Sequence, residues 1–218
     1  MSQGSAPSPP DIYIYISLPA PLQPYLCHPP IPCSITPPIY YLHLRHITMA
    51  DFESPVGIAL YHTDPPTFDY FHWALVVGFT PSLFTGYVRM YQILRPEPTP
   101  GQQQTGPLWI ASHKTVNLMG TNRFVGIVYI GRLPFGLSDL HTWISEVPAE
   151  KFDYPPPPYF WTCAWYIISI IDGLRELLTD EGDLPTDLVA LYNRVRERGT
   201  VLAAMVRHNA QPNVVRIS

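Results

Sequence analysis

From about residue 50 onward the apolar and polar positions fall into two regimes, strand-like first and helix-like later. Val56-Gly57-Ile58-Ala59-Leu60-Tyr61 predicts a first strand, and Thr63-Asp64-Pro65-Pro66 predicts the turn after it. The aromatic and β-branched run from Tyr70 to Phe79 predicts a second strand with His72 near its start. Thr80-Pro81-Ser82 turns the chain into a third strand, Tyr87 to Leu94. The stretch Arg95 to Pro107, rich in Pro, Gly and Gln, predicts a loop. Leu108-Trp109-Ile110 predicts a short fourth strand, followed by His113, and Arg123 to Ile130 a further strand that Gly131 ends.

The period then lengthens. Ser138 or Asp139 is placed to cap a short helix through Glu146, with Leu137, Leu140, Ile144 and Trp143 as its expected buried face. The prolines Pro155 to Pro158 prevent any helix from starting before Pro158. Beyond them Thr162 is the expected N-cap, its hydroxyl accepting an amide of the first turn. Ile167, Ile168, Ile171, Leu174 and Leu178 recur at helical spacing, with Gly182 as the stop. Pro185 opens a last helix with Leu188, Leu191, Tyr192 and Val195 on one face, running past Gly199 to Met205. Asn213 to Ser218 supplies an edge strand or covers a groove. Strands followed by helices predict an α+β domain: an antiparallel sheet of about four to five strands, then about three helices packed on one side.

Residues 1–48 follow other rules. They hold eleven prolines, a single acid (Asp11) and a single base (Arg45), and are otherwise filled with tyrosine, isoleucine and leucine. No helical or strand period persists there. The change of style at Met49 predicts a single domain over 50–218. Residues 1–48 are expected to be a Pro-rich extension, either disordered or preceding the biological start at Met49, with an extended ligand-like segment as the alternative.

Composition narrows the function. The net charge is -4 and no cluster of Lys or Arg occurs, which argues against a nucleic-acid surface. No apolar run reaches membrane-spanning length, and prolines interrupt each candidate signal segment. Of the three cysteines, Cys27 and Cys33 lie in the extension, leaving Cys163 as one free thiol. A free thiol suits a reducing compartment, so the expected location is cytoplasmic or nuclear. The histidines show no paired metal-ligand spacing and no Gly-rich loop precedes a helix, so neither a metal nor a cofactor is expected.

The remaining chemistry centres on Cys163. In the first turn of a helix a thiolate is favoured by the dipole and by unpaired amides, which lowers its pKa and makes it a nucleophile. His72 is the candidate base. Gln92, through its amide oxygen, is the candidate third residue that orients the ring, with Tyr91 and His113 as rivals; Gln92 and Tyr91 point to opposite faces of one strand, so at most one of them serves. The amide of Cys163 and a nearby side-chain donor would form the oxyanion hole. The competing reading is plainer: a buried core cysteine, and a histidine bonded to a backbone carbonyl.

His72-Trp73-Ala74-Leu75-Val76-Val77 resembles the His-Trp-Ala-Leu strand of circularly permuted papain-like proteins, the group of NlpC-type cysteine peptidases and lecithin:retinol acyltransferase-like enzymes. More closely, the stretch from about Val56 to Leu178 resembles a family of uncharacterised fungal proteins with such a strand, an Ile-Gly strand end like Ile130-Gly131, and a Cys-x-x-Trp-like helix start. The resemblance implies a permuted papain-like fold. It also implies a cysteine hydrolase or acyltransferase acting on an amide, ester or isopeptide carbonyl of a peptide, lipid or other acyl substrate in an aromatic-lined groove. Thr162 stands where those relatives usually carry Asn, and Tyr91-Gln92 where they often carry a second histidine. Trp165 follows Cys163 by two residues, not three. These departures motivate the alternative of a catalytically inactive domain that keeps the fold and binds.

Overall fold

The computed structural model describes residues 53–67, 70–80, 84, 87–96, 108–134, 137–151, 154–180, 183–205 and 212–218. The extension 1–48, the start at Met49 and Gly182 lie outside the described residues. The architecture is α+β. Strands β1 (Ser54–Thr67), β2 (Tyr70–Gly78), β3 (Tyr87–Leu94), β4 (Ile110–Asn117), β5 (Phe124–Leu133) and β6 (Val214–Arg216) form one six-stranded sheet in the order β4-β3-β2-β1-β5-β6. All neighbours are antiparallel except β5 and β6, so the C-terminal segment adds a parallel edge strand. Helices α1 (Leu137–Glu146), α2 (Cys163–Leu174) and α3 (Leu188–Ala204) follow the first five strands in the chain. No helix among the described residues is long and apolar enough to cross a membrane.

Alternation along each strand sorts side chains onto two faces. Ile58, Leu60, Trp73, Leu75, Tyr91, Ile93 and Val128 share the face under α2 and α3, and all are buried. The Trp73 ring stacks on Tyr192 of α3 at 5.4 Å. Gly199 of α3 comes so close that a Cβ there would meet Leu60 and Phe71 at 2.8 Å. Ala59, Ala74, Val76, Val88, Met90, Ile127 and Tyr129 form the opposite face, closed by Phe84 and Leu118 from the connecting segments. Burial on both faces explains why β2 reads as a nearly continuous apolar run.

Several local expectations need correction, among them two helix starts: α3 begins at Leu188, capped by Asp187 rather than opened by Pro185, and α1 begins at Leu137, ahead of Ser138 and Asp139. Thr63-Asp64-Pro65-Pro66 does not end β1, which continues to Thr67 with a register shift after His62. β5 pairs with β1 only as far as Tyr61, so the prolines fall where β1 has lost its second neighbour and their missing N–H groups cost no ladder bond on that side. The fourth strand is not the apolar triplet at Leu108 but the half-exposed edge strand Ile110–Asn117, which contains His113. Gly131 does not end β5. It sits inside the strand at φ 151°, where the register with β1 slips by one residue, a bulge geometry open to glycine. Finally, α2 stops at Leu174 and tightens into a 3-10 turn, Arg175–Leu177, so Leu178 lies beyond the helix. The chain leaves the helical path there to form the bridge between Thr179 and Arg132.

Candidate functional site

The site lies where two strands part. The ladder between β2 and β3 runs from Gly78 and Val88 to Leu75 and Tyr91 and ends there. β2 continues to Tyr70 with β1, while β3 continues to Leu94 with β4. The amino end of α2 serves this gap. The Cys163 sulfur accepts the backbone amide of Trp73, a residue of β2 beyond the end of that ladder. The amide of Ala164 and the His72 imidazole also lie near the sulfur and favour its negative charge.

Gln92 lies one residue past Tyr91, on the face shared by Ala74 and His72. Its Oε1 is 2.8 Å from His72 Nε2, so Nε2–H donates to the amide oxygen. In the neutral ring Nδ1 is then the nitrogen with the lone pair. Gln92 is the buried polar side chain among the described residues of the sheet, 5% exposed, and this bond satisfies its oxygen. His72 is thus held between the carboxamide and the thiol.

The electrostatics follow from that arrangement. Burial pushes the Cys163 thiol up. The His72 hydrogen bond, the His72 charge and the amides of Trp73 and Ala164 outweigh it, and the net shift is downward. Burial also pushes the His72 imidazole down, but bonding to Cys163, the thiolate charge and the Gln92 oxygen raise it above its ordinary value. Both shifts favour the thiolate–imidazolium form.

Of the sequence-predicted residues, Cys163, His72 and Gln92 come together, whereas Tyr91 and His113 do not join them. Tyr91 is on the helix-covered face, its ring 5.2 Å from that of His113, and His113 Nε2 is 3.2 Å from the Tyr166 hydroxyl. Thr162 occupies the N-cap of α2 as expected, but its hydroxyl makes no capping bond. The first helical bond runs from the Tyr166 amide to the Thr162 carbonyl, so the amides of Cys163, Ala164 and Trp165 precede the helical ladder, and that of Ala164 is given to the thiol.

A cleft of about 250 Å³, open to solvent, lies over the thiol and is lined by Tyr70, Phe71, Trp73, Thr162, Cys163, Ala164, Tyr192 and Arg196. Its enclosed part has room for no more than about one water. The thiol residue is 7% exposed, whereas Tyr70 is 51% and Phe160 84% exposed. Tyr192 stacks between Trp73 and Trp165, 5.4 and 5.3 Å away, and forms the floor. Tyr192 and Arg196 were not legible as site residues: on α3 their spacing signals only a helix face. Among the described residues no group of His, Cys, Asp and Glu could hold a metal ion. No family model matches the chain, and neither the curated proteins nor the solved structures include a match to it.

Proposed function

We propose that this chain is a thiol-dependent hydrolase or acyltransferase acting on an amide, ester or isopeptide carbonyl, with the architecture of the permuted papain-like group. The observation that carries the proposal is the position of His72, beside the Cys163 thiol, with which it shifts toward the ion pair, and 2.8 Å from Gln92 Oε1. A histidine used only to satisfy a sheet end needs no such pair of partners. In the proposed reaction the Cys163 thiolate attacks the carbonyl carbon and forms a C–S bond. The His72 imidazolium then gives its proton to the leaving amine or alcohol as the C–N or C–O bond breaks. Water or an acceptor hydroxyl or amine next loses a proton to His72 as it attacks the thioester, and the thiolate leaves. Gln92 keeps the ring in the tautomer and orientation that both steps need.

The second reading is a catalytically silent binding domain with the same fold. It draws support from the 7% exposure of Cys163 and the narrow space in front of it, which an acyl group enters only if the aromatic walls move. The rate of Cys163 alkylation against pH, measured with and without His72→Ala, separates the two. The enzyme reading expects reaction well below the ordinary thiol pKa of about 8.5 and loss of that acid limb in the variant. A reaction that rises only near the free-thiol value, identical in both proteins, excludes it. The partner expected in either case is a peptide, lipid or other acyl compound.

A further inference from the structure

A second polar cluster lies on the helix-covered side of the sheet, outside the thiol site. Arg89 and Tyr91 from β3, His113 from β4, His141 from α1 and Tyr166 from α2 converge there. Arg89 Nη2 is 3.3 Å from Nδ1 and 3.2 Å from Nε2 of His141, so the guanidinium lies across that ring. Its Cζ is 5.8 Å from the centre of the Tyr91 ring. The rings of His113 and His141 are 6.0 Å apart, and that of Tyr91 is 5.2 Å from the first and 6.0 Å from the second. His113 is bonded to the Tyr166 hydroxyl at 3.2 Å.

Two features of this cluster are unusual for a purely structural network. Arg89 is half-buried, yet it has no carboxylate partner among the described residues. A guanidinium cannot shed its charge, so partial burial without a counterion is unfavourable. The second feature is Tyr91, which is 0% exposed: its hydroxyl faces the Arg89 guanidinium, which can only donate to it, and has no acceptor for its own proton. A buried hydroxyl of that kind calls for an acceptor. The groups facing one another from the four elements are one fixed cation, two imidazoles and two phenols, and none is acidic.

We propose that Arg89, His113, His141 and the Tyr91 hydroxyl form a binding site for a dianionic oxyanion, phosphate or sulfate, free or carried as a small organic ester. The anion supplies the counter-charge that Arg89 lacks and the acceptor that the Tyr91 hydroxyl lacks. The site is built from side chains and needs no Gly-rich loop or helix terminus. Burial, then His141 and Arg89, holds the His113 imidazole below its ordinary pKa. A dianion among these groups reverses the electrostatic part of that shift. Binding therefore tightens as the pH falls through the histidine range.

The test uses the full chain and follows His113 and His141 ring signals by NMR while sulfate, which stays dianionic throughout, is added against chloride at matched ionic strength. The expected result is a saturable rise of the His113 midpoint by about one unit, with sulfate affinity about tenfold higher below the midpoint than above it. Phenyl phosphate and inorganic phosphate form the second arm: a clear preference for the ester assigns the group to an organic ligand, and equal affinity to the free anion. Tyr91→Phe keeps the ring and removes only the hydroxyl, whose proton has no acceptor in the anion-free protein. It should bind sulfate several-fold more weakly, and Arg89→Gln should lose the saturable response. A response no different from that to chloride, or one retained by both variants, overturns the proposal.

Discussion

Replacing Gln92 with methionine tests the proposed role of the carboxamide without emptying its space. Gln92 is 5% exposed and its oxygen is 2.8 Å from His72 Nε2. A bond from a charged donor contributes about 1.5–3 kcal/mol, and one between neutral partners about 0.5–1.5 kcal/mol. The difference, about 1–1.5 kcal/mol, is what Gln92 adds to the imidazolium over the neutral ring, and at about 1.4 kcal/mol per unit it corresponds to about one pKa unit. In Gln92→Met the His72 midpoint should therefore fall by about one unit. The neutral thiol–imidazole pair should gain about tenfold on the charged one.

The same reasoning says which part of the pH profile stays in place. Gln92 touches the ring and not the sulfur, so it stabilises the imidazolium equally beside the thiol and beside the thiolate. The acid limb of Cys163 alkylation should hold its position while the imidazolium window narrows from its alkaline side. His72→Ala, in contrast, removes the acid limb altogether. Because His72 is raised in the folded protein, its contribution to stability is complete below the ordinary value of 6.5 and is lost as the pH rises through the raised value. Ring NMR and alkylation rates, both taken well below the unfolding temperature, measure these quantities. The variant should also lose about 1–3 kcal/mol, since a buried N–H is left without an acceptor. An unchanged His72 midpoint in a folded variant would refute the reasoning and make Gln92 a space-filling residue.

Three further outcomes follow from the packing. Asp187 accepts the Ala190 amide at 2.6 Å while Thr162 makes no capping bond, so Asp187→Ala should cost about 1 kcal/mol in denaturant unfolding and Thr162→Ala only a few tenths. Gly199→Ala should lower the melting temperature, because overpacking against Leu60 and Phe71 at 2.8 Å, typically costing about 1–3 kcal/mol, exceeds the roughly 1 kcal/mol of helix propensity gained. Asp180 accepts from Tyr129 at 2.7 Å and from Arg216 at 3.3 Å, which hold its carboxyl below the usual 3.8. Its contribution is complete above the usual carboxylate value and is lost as the pH falls through the lowered one. The Ile217 amide, which donates to the Tyr129 carbonyl at 3.1 Å, should then exchange faster, after correction for intrinsic rates, only in strong acid.

What the sequence disclosed follows a physical divide. Residues whose partners are close in sequence, or whose burial imposes a period, were readable: β3 over Tyr87–Leu94, the cap position at Thr162, and the helix faces of Leu140, Ile144 and Leu191. Features decided by tertiary neighbours were not. The prolines at 65 and 66 signal a turn anywhere except on a strand that has lost one neighbour. The edge strand β4 carries the polar run Ser112-His113-Lys114-Thr115 because little covers it, so it lacks the apolar run that marked β2. The trio Cys163, His72 and Gln92 was readable as residue types, but the choice of Gln92 over Tyr91 depended on which face of β3 meets His72. Only the strand register decides that.

The fork between β2 and β3 gives the thiol chemistry its physical reason. A sheet amide normally satisfies a neighbouring carbonyl and has nothing left for a sulfur. Trp73 lies past the end of the β2–β3 ladder, and its amide is spent on Cys163. The first turn of α2 adds the Ala164 amide, which has no helical acceptor. Two donors that the secondary structure leaves over thus meet at one atom, and both favour negative charge there. Burial alone would raise the thiol, as in an inert core cysteine. The balance turns downward only because strand end, helix start and imidazole coincide at a single position. A cysteine one residue later on α2, at the buried position of Ala164, would keep the burial and lose the three partners. The expectation of reactivity therefore rests on this register rather than on the presence of a cysteine and a histidine in the chain.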